Sequence, residues 1–298
     1  LYFFSYSKDN VSGIGIKMDN GSFDFSSALD IYQHSQGNAT PVSVTFLQVL
    51  VEMEFCSKEA AEEVMNNPWV QAKAGELRLS STITIEPPIA RPGKIIGIGR
   101  NYKAHAAELD HNLPEAPLFF SKALTSLTAH NRPIIIPDWV TGRVDHEAEL
   151  GVVVTREGRH IAENDAMAHV AGYTLVNDIT ARDMQKTDLA EGAPWFRSKS
   201  MDTFCPVGPG ILPADSVTDP HNLTIELSVN GETRQHANTG DMLFSIPRLI
   251  AEISKYMTLQ PGDIIATGTP EGVGPIENGD LLEVSLQGLG TLKNTVQR

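Results

Sequence analysis

The stretch Glu147-Ala148-Glu149-Leu150-Gly151-Val152-Val153-Val154-Thr155 joins two acids to a β-branched apolar run too short for a helix. It reads as a buried strand. Comparable short runs flank it on both sides: Lys94 to Ile98, Leu118 to Ser121, Gly172 to Asn177, Leu223 to Val229, Ile264 to Thr267 and Leu281 to Leu286. Asn230-Gly231, directly after Thr224 to Val229, signals a two-residue hairpin, because a type I′ turn needs positive φ at both central positions. Helices are fewer. The clearest spans Ile246 to Met257, where Leu249, Ile250, Ile253 and Met257 form one apolar stripe behind a Ser245 cap. Strands without regular βα alternation exclude a doubly wound sheet and a barrel of eight βα units, so the expected class is α+β.

Upstream, Glu86-Pro87-Pro88-Ile89-Ala90-Arg91-Pro92-Gly93 interrupts any helix or central strand, since its prolines lack donors and restrict their neighbours. A domain boundary is expected there, giving a small N-terminal α+β domain over 1–90 and a catalytic domain over 91–298. Within the first, Gly13 to Met18 alternates as a strand, and Thr45 to Phe55 and Ser57 to Asn66 suggest helices, the second capped by Ser57. Leu1-Tyr2-Phe3 resembles part of a tag-cleavage site, although Phe4 breaks the match, and residues 1 to 8 carry no fold inference.

The chain has 298 residues, 41% hydrophobic and 20% charged, the profile of a globular protein with apolar material for a large core. No apolar run is long enough for a membrane span and no secretory signal is visible, so a cytoplasmic protein is expected. A formal net charge of −14 repels phosphate backbones and argues against nucleic-acid binding. Cys56 and Cys205 lack CxxC spacing and are expected to be buried free thiols.

In a strand, residues two apart share a face about 7 Å apart. Glu147 and Glu149 therefore direct two like charges into one volume, an arrangement eased by solvent or by a cation. Alone, such a pair is more often a solvated sheet edge. Asp178 ends the apolar run Tyr173 to Val176 and is placed to complete a three-carboxylate set. Oxygen donors without Cys or His suit hard ions, Mg²⁺, Mn²⁺ or Ca²⁺, rather than zinc. His105 and Glu108 lie three apart in a segment of helical composition, where a carboxylate orients an imidazole as a general base, although an exposed pair of no consequence has the same spacing. Arg182, Gln185 and Lys199 flank Asp178 and the turn Trp195 to Ser200. They are either surface polar groups or holders of a substrate anion and developing enolate charge. The loop Thr267 to Gly274 lacks the GK[ST] ending of a phosphate-binding loop, Gly97 to Tyr102 lacks a full dinucleotide fingerprint, and GxSxG is absent. ATP, nicotinamide and flavin cofactors are accordingly not expected.

Six blocks then coincide in order: Gly99-Arg100-Asn101-Tyr102-x-x-His105-x-x-Glu108; Pro117 to Lys122; Asp145-His146-Glu147-Ala148-Glu149-Leu150; Gly172-Tyr173-x-x-x-Asn177-Asp178-x-x-x-Arg182-Asp183-x-Gln185; Lys199 to Pro206; and Thr267-Gly268-Thr269-Pro270-x-Gly272-Val273-Gly274. From about Lys94 onward the chain resembles the fumarylacetoacetate hydrolase family. The resemblance implies a mixed β-sandwich roll, a homodimer, and Mg²⁺ or Mn²⁺ held by Glu147, Glu149 and Asp178. It implies His105 and Glu108 as the dyad that activates water, Lys199 as the charge-stabilising cation, and Arg182, Gln185 and Thr269 as substrate contacts. The implied chemistry acts on a small 2-oxo acid through a metal-bound enolate. C–C hydrolysis of an acylpyruvate leads, with oxaloacetate decarboxylation or tautomerisation and isomerisation of a muconate-like diacid as alternatives. A catalytically silent binding relative is the reading of a different class.

Overall fold

A computed structural model describes residues 1–298 apart from 39, 41, 81 and 105–112. Its strands in chain order are β1 (Tyr2–Lys8), β2 (Val11–Met18), β3 (Gly21–Asp24), β4 (Thr84–Glu86), β5 (Ile95–Gly99), β6 (Leu118–Lys122), β7 (Leu127–Thr128), β8 (Ile134–Ile135) and β9 (Val144–His146). Then come β10 (Ala148–Val154), β11 (Val170–Asn177), β12 (Thr180–Ala181), β13 (Cys205–Pro213), β14 (Thr224–Val229), β15 (Glu232–Asn238), β16 (Ile264–Ala266), β17 (Gly274–Pro275), β18 (Leu281–Leu286) and β19 (Gly290–Gln297).

A large mixed sheet runs β3-β2-β1-β13-β11-β10-β16-β5-β6, with β4 added to β1 and β7 to β13. Facing it is a five-stranded sheet, β15-β14-β18-β19-β8, and a small sheet, β12-β9-β17, sits beside the acids. Every residue of β10 and β11 is buried, which is why both read as continuous apolar runs rather than alternating ones. Alternation sorts their two faces. Leu150, Val152, Val154, Tyr173 and Leu175 pack in one core with Leu227, Val284 and Leu292 of the smaller sheet. Val153 and Val176 pack in a second core with Phe3, Ile14, Phe25, Leu50 and Val64. Burial of each such side chain supplies roughly 1.5–3 kcal/mol, so β10 and β11 are anchored from both sides.

The expected local elements form for the expected reasons. Ser57 Oγ accepts from Ala60 N ahead of the helix Lys58–Met65, and Ser245 Oγ accepts from Arg248 N ahead of the helix Ile246–Tyr256. Asn230 and Gly231 turn β14 into β15 with φ of 53° and 81°. Cys56 and Cys205 are both free and buried.

Within residues 1 to 8, from which no fold was expected, Tyr2–Lys8 form β1. It pairs along its length with β2 and joins the large sheet through Phe3 opposite Ile211. Phe3, Phe4 and Tyr6 are all buried, so the aromatic content of this segment belongs to the core. No helix among the described residues is long and apolar enough to cross a membrane.

Candidate active site

Glu147 stands between β9 and β10 and Asp178 directly follows β11, so the pairing of β10 with β11 fixes how the acids meet. Ala148 lies opposite Asn177. The connection is locked by Asp178 N donating to Glu147 O at 2.8 Å and Glu147 N donating to Asn177 Oδ1 at 2.9 Å. One carboxylate oxygen from each of Glu147, Glu149 and Asp178 lies within 4.8 Å of the others, all three residues being buried.

Buried cations answer this charge. Lys199 Nζ donates to Glu147 Oε2 at 2.8 Å, Asp178 Oδ2 at 2.6 Å and Thr180 Oγ1 at 2.7 Å. Lys122 Nζ donates to Asp178 Oδ1 and to the Lys199 carbonyl. Arg182 bridges Asp145 Oδ2, at 2.7 Å, and Glu147 Oε1, and donates to Gln185 Oε1 at 2.7 Å. Burial works against the Lys199 charge, yet Asp178 and Glu147 leave its pKa above the ordinary value, so the group is an ammonium and not a base.

Glu149 is treated differently. It has no ion pair among the described residues; its Oε2 accepts from the Gly268 amide at 2.8 Å. Gly268 adopts φ of 97°, and a Cβ there would come within 2.8 Å of Asn101 Cβ, so a glycine is what lets this amide face the acid. Burial first, then Asp178 and Glu147, raise the Glu149 pKa well above the carboxylate range. Without a cation Glu149 therefore holds its proton, and three oxygen donors without Cys or His are the set that fits a hard divalent cation able to displace it.

The cleft over these acids is lined by Glu147, Glu149, Arg182, Gln185, Lys199 and Thr269 together with Arg100, Phe120 and Trp195. Of the residues singled out from sequence, the acids, Lys199, Arg182, Gln185 and Thr269 are brought together here. His105 and Glu108 lie outside the described residues.

Three participants were not singled out as site residues. Lys122 occurred only inside a motif. Asp145 fixes Arg182. Gln235 occupies the buried position of β15 between exposed Arg234 and His236. Its Oε1 accepts from Ala148 N at 2.9 Å, and its Nε2 donates to Thr269 Oγ1 at 2.8 Å and Pro270 O at 2.9 Å. It therefore ties the acid-bearing strand to the Thr269 loop. Cys205 is no nucleophile, because burial pushes its thiol up to about 12.

Residues 94–297 match the family described as fumarylacetoacetate (FAA) hydrolase, C-terminal. The chain belongs to the fumarylacetoacetate hydrolase family. It is 43% identical over 226 residues to an oxaloacetate tautomerase of Bacillus subtilis, covering 72% of this chain and 74% of that protein. A fumarylacetoacetate hydrolase structure from Exiguobacterium antarcticum superposes with a TM-score of 0.80 at 31% identity, over 99% of both chains. A maleylpyruvate hydrolase structure from Sphingobium gives a TM-score of 0.77 at 30% identity, over 100% of this chain and 99% of that one. The fold, a mixed α+β architecture of large sheets, is that of the family.

Proposed function

We propose that this chain is a divalent-metal-dependent enzyme that interconverts the keto and enol forms of a small 2-oxo diacid of the oxaloacetate type. The observation that carries the reading is the convergence of Glu147, Glu149 and Asp178 within 4.8 Å beneath Lys199 and Arg182. The similarity to an oxaloacetate tautomerase supports it.

The three carboxylates would hold Mg²⁺ or Mn²⁺, which when bound supplies Lewis-acid polarisation of the substrate's 2-oxo oxygen. Lys199, kept cationic by Glu147 and Asp178, stabilises negative charge as it develops on substrate oxygen. Lys122 and Arg182 keep Asp178 and Glu147 in place, and Thr269, aimed by Gln235, offers a hydroxyl to the bound acid. By their places in the family motif, His105 and Glu108 form the dyad that moves the proton between carbon and oxygen. A homodimer and the division into residues 1–90 and 91–298 belong to the same reading.

A second reading, C–C hydrolysis of an acylpyruvate, is favoured by the similarity to a maleylpyruvate hydrolase over the whole chain. There the dyad would activate water instead. A panel with added Mg²⁺ decides between them: ultraviolet decay of enol-oxaloacetate, pyruvate release from oxaloacetate, and cleavage of acetylpyruvate. Tautomerisation should exceed the other two by about tenfold or more in kcat/KM. Dominant acetylpyruvate cleavage would install the second reading, and no turnover of any 2-oxo acid would overturn both.

A further inference from the structure

Three cations line the cleft: Arg100, Arg182 and Lys199. Arg182 and Lys199 are committed to Asp145, Glu147 and Asp178. Arg100 forms no ion pair with any described residue, and its Nε is shut off from solvent without a hydrogen-bond partner. Burial lowers the pKa of its guanidinium, and no carboxylate among the described residues offsets that effect. Arg100 is only partly buried, but a donor of its charged group left unsatisfied where solvent does not reach is costly, so the group is suited to meet an anion that arrives from outside.

The side chain is also held in position. Its guanidinium lies over the Trp195 ring at 5.7 Å, and Trp195 meets the edge of Phe120 at 5.7 Å. Trp195 occupies the space above Gly99, where a Cβ would approach the ring to 2.5 Å. Arg100 has φ of 58°, in the left-handed region where glycine is less strained. A long cation therefore stands where the backbone favours the smallest residue. The next residue anchors this conformation: Asn101 Nδ2 donates to Thr267 O at 2.8 Å and its Oδ1 accepts from Phe244 N at 2.8 Å.

We propose that Arg100 is the specificity-determining residue that receives the second carboxylate of a 2-oxo diacid, at the end of the substrate remote from the three acids. The inference rests on the functional reading above insofar as it takes the 2-oxo acid head to face Glu147, Glu149 and Asp178. A guanidinium and a carboxylate pair through two parallel hydrogen bonds, a match that a neutral substrate end does not offer.

Oxaloacetate and 2-oxobutyrate share the 2-oxo acid head and chain length and differ in one terminal group, a carboxylate or a methyl. The test is rapid-mixing tryptophan fluorescence titration of both into Mg²⁺-loaded wild type, Arg100→Gln and Arg100→Lys. Wild type should bind oxaloacetate about tenfold or more tighter than 2-oxobutyrate. Arg100→Gln should remove that preference while leaving the 2-oxobutyrate affinity within about twofold, and Arg100→Lys should regain part of it. Parallel weakening of both ligands, or an unchanged preference, would overturn the assignment. Discrimination by a wild type that does not turn over oxaloacetate would support Arg100 while the catalytic reading fails. A wild type that binds neither ligand overturns both.

Discussion

Gln235 Nε2 donates to Thr269 Oγ1 at 2.8 Å, a link between a hairpin strand and the glycine-rich loop that closes one side of the cleft. The other end of the same amide holds Ala148 N, between two of the acids. Gln235→Leu keeps the approximate volume and removes these bonds. The expected outcome is a rise in KM for the 2-oxo acid of roughly tenfold with a smaller change in kcat, because the substrate contact is misplaced while the acids remain. Steady-state kinetics check this; a loss confined to kcat would contradict it.

Lys122 is enclosed and bridges Asp178 to the Lys199 carbonyl. Removing one partner of a buried pair costs about 3–5 kcal/mol, and although Lys199 still meets Asp178, Lys122→Met should lower Tm on the order of 10 °C. Asp178→Asn should cost less in that background than in wild type, since the carboxylate it removes has already lost one of its two cations. Calorimetric Tm values for the two single variants and the double variant test the coupling, and strictly additive losses would refute it.

The raised pKa of Glu149 makes the metal-free protein sensitive to pH. The folded state keeps a proton that the unfolded chain releases. Its stabilising contribution is therefore present below the unfolded value of about 4.3 and is lost as pH rises through the higher folded value. Chelated wild type should lose stability relative to Glu149→Gln as pH rises above the unfolded value of about 4.3. Mg²⁺ should then stabilise wild type more than the variant. Thermal melts across this range, with and without Mg²⁺, give the comparison; a pH-independent difference would exclude the assigned role.

Local motifs made the acid-bearing strand, the Asn230-Gly231 hairpin and the two capped helices legible, because neighbours in sequence dictate each of them. The convergence of Asp178 with Glu147 and Glu149 was legible only as a placement at a strand end. Its geometry depends on the β10–β11 register, with Ala148 opposite Asn177. Gln235 was less visible, although a polar residue at the inward position between exposed Arg234 and His236 was the signal. The commitments of Lys122 and Arg182, and the lack of an ion pair for Arg100 among the described residues, depend on residues far apart in sequence. Residues 1 to 8 concealed a strand because their aromatic alternation has no meaning until β2 and β13 lie beside it.

The central claim is that Glu147, Glu149 and Asp178 hold one hard cation on which the activity depends. It is tested most directly by the rate of enol-oxaloacetate conversion in exhaustively chelated protein as Mn²⁺ is titrated back. The account predicts loss of activity on chelation and saturable recovery at one ion per chain, with Asp178→Asn failing to recover. Full activity after exhaustive chelation would contradict it.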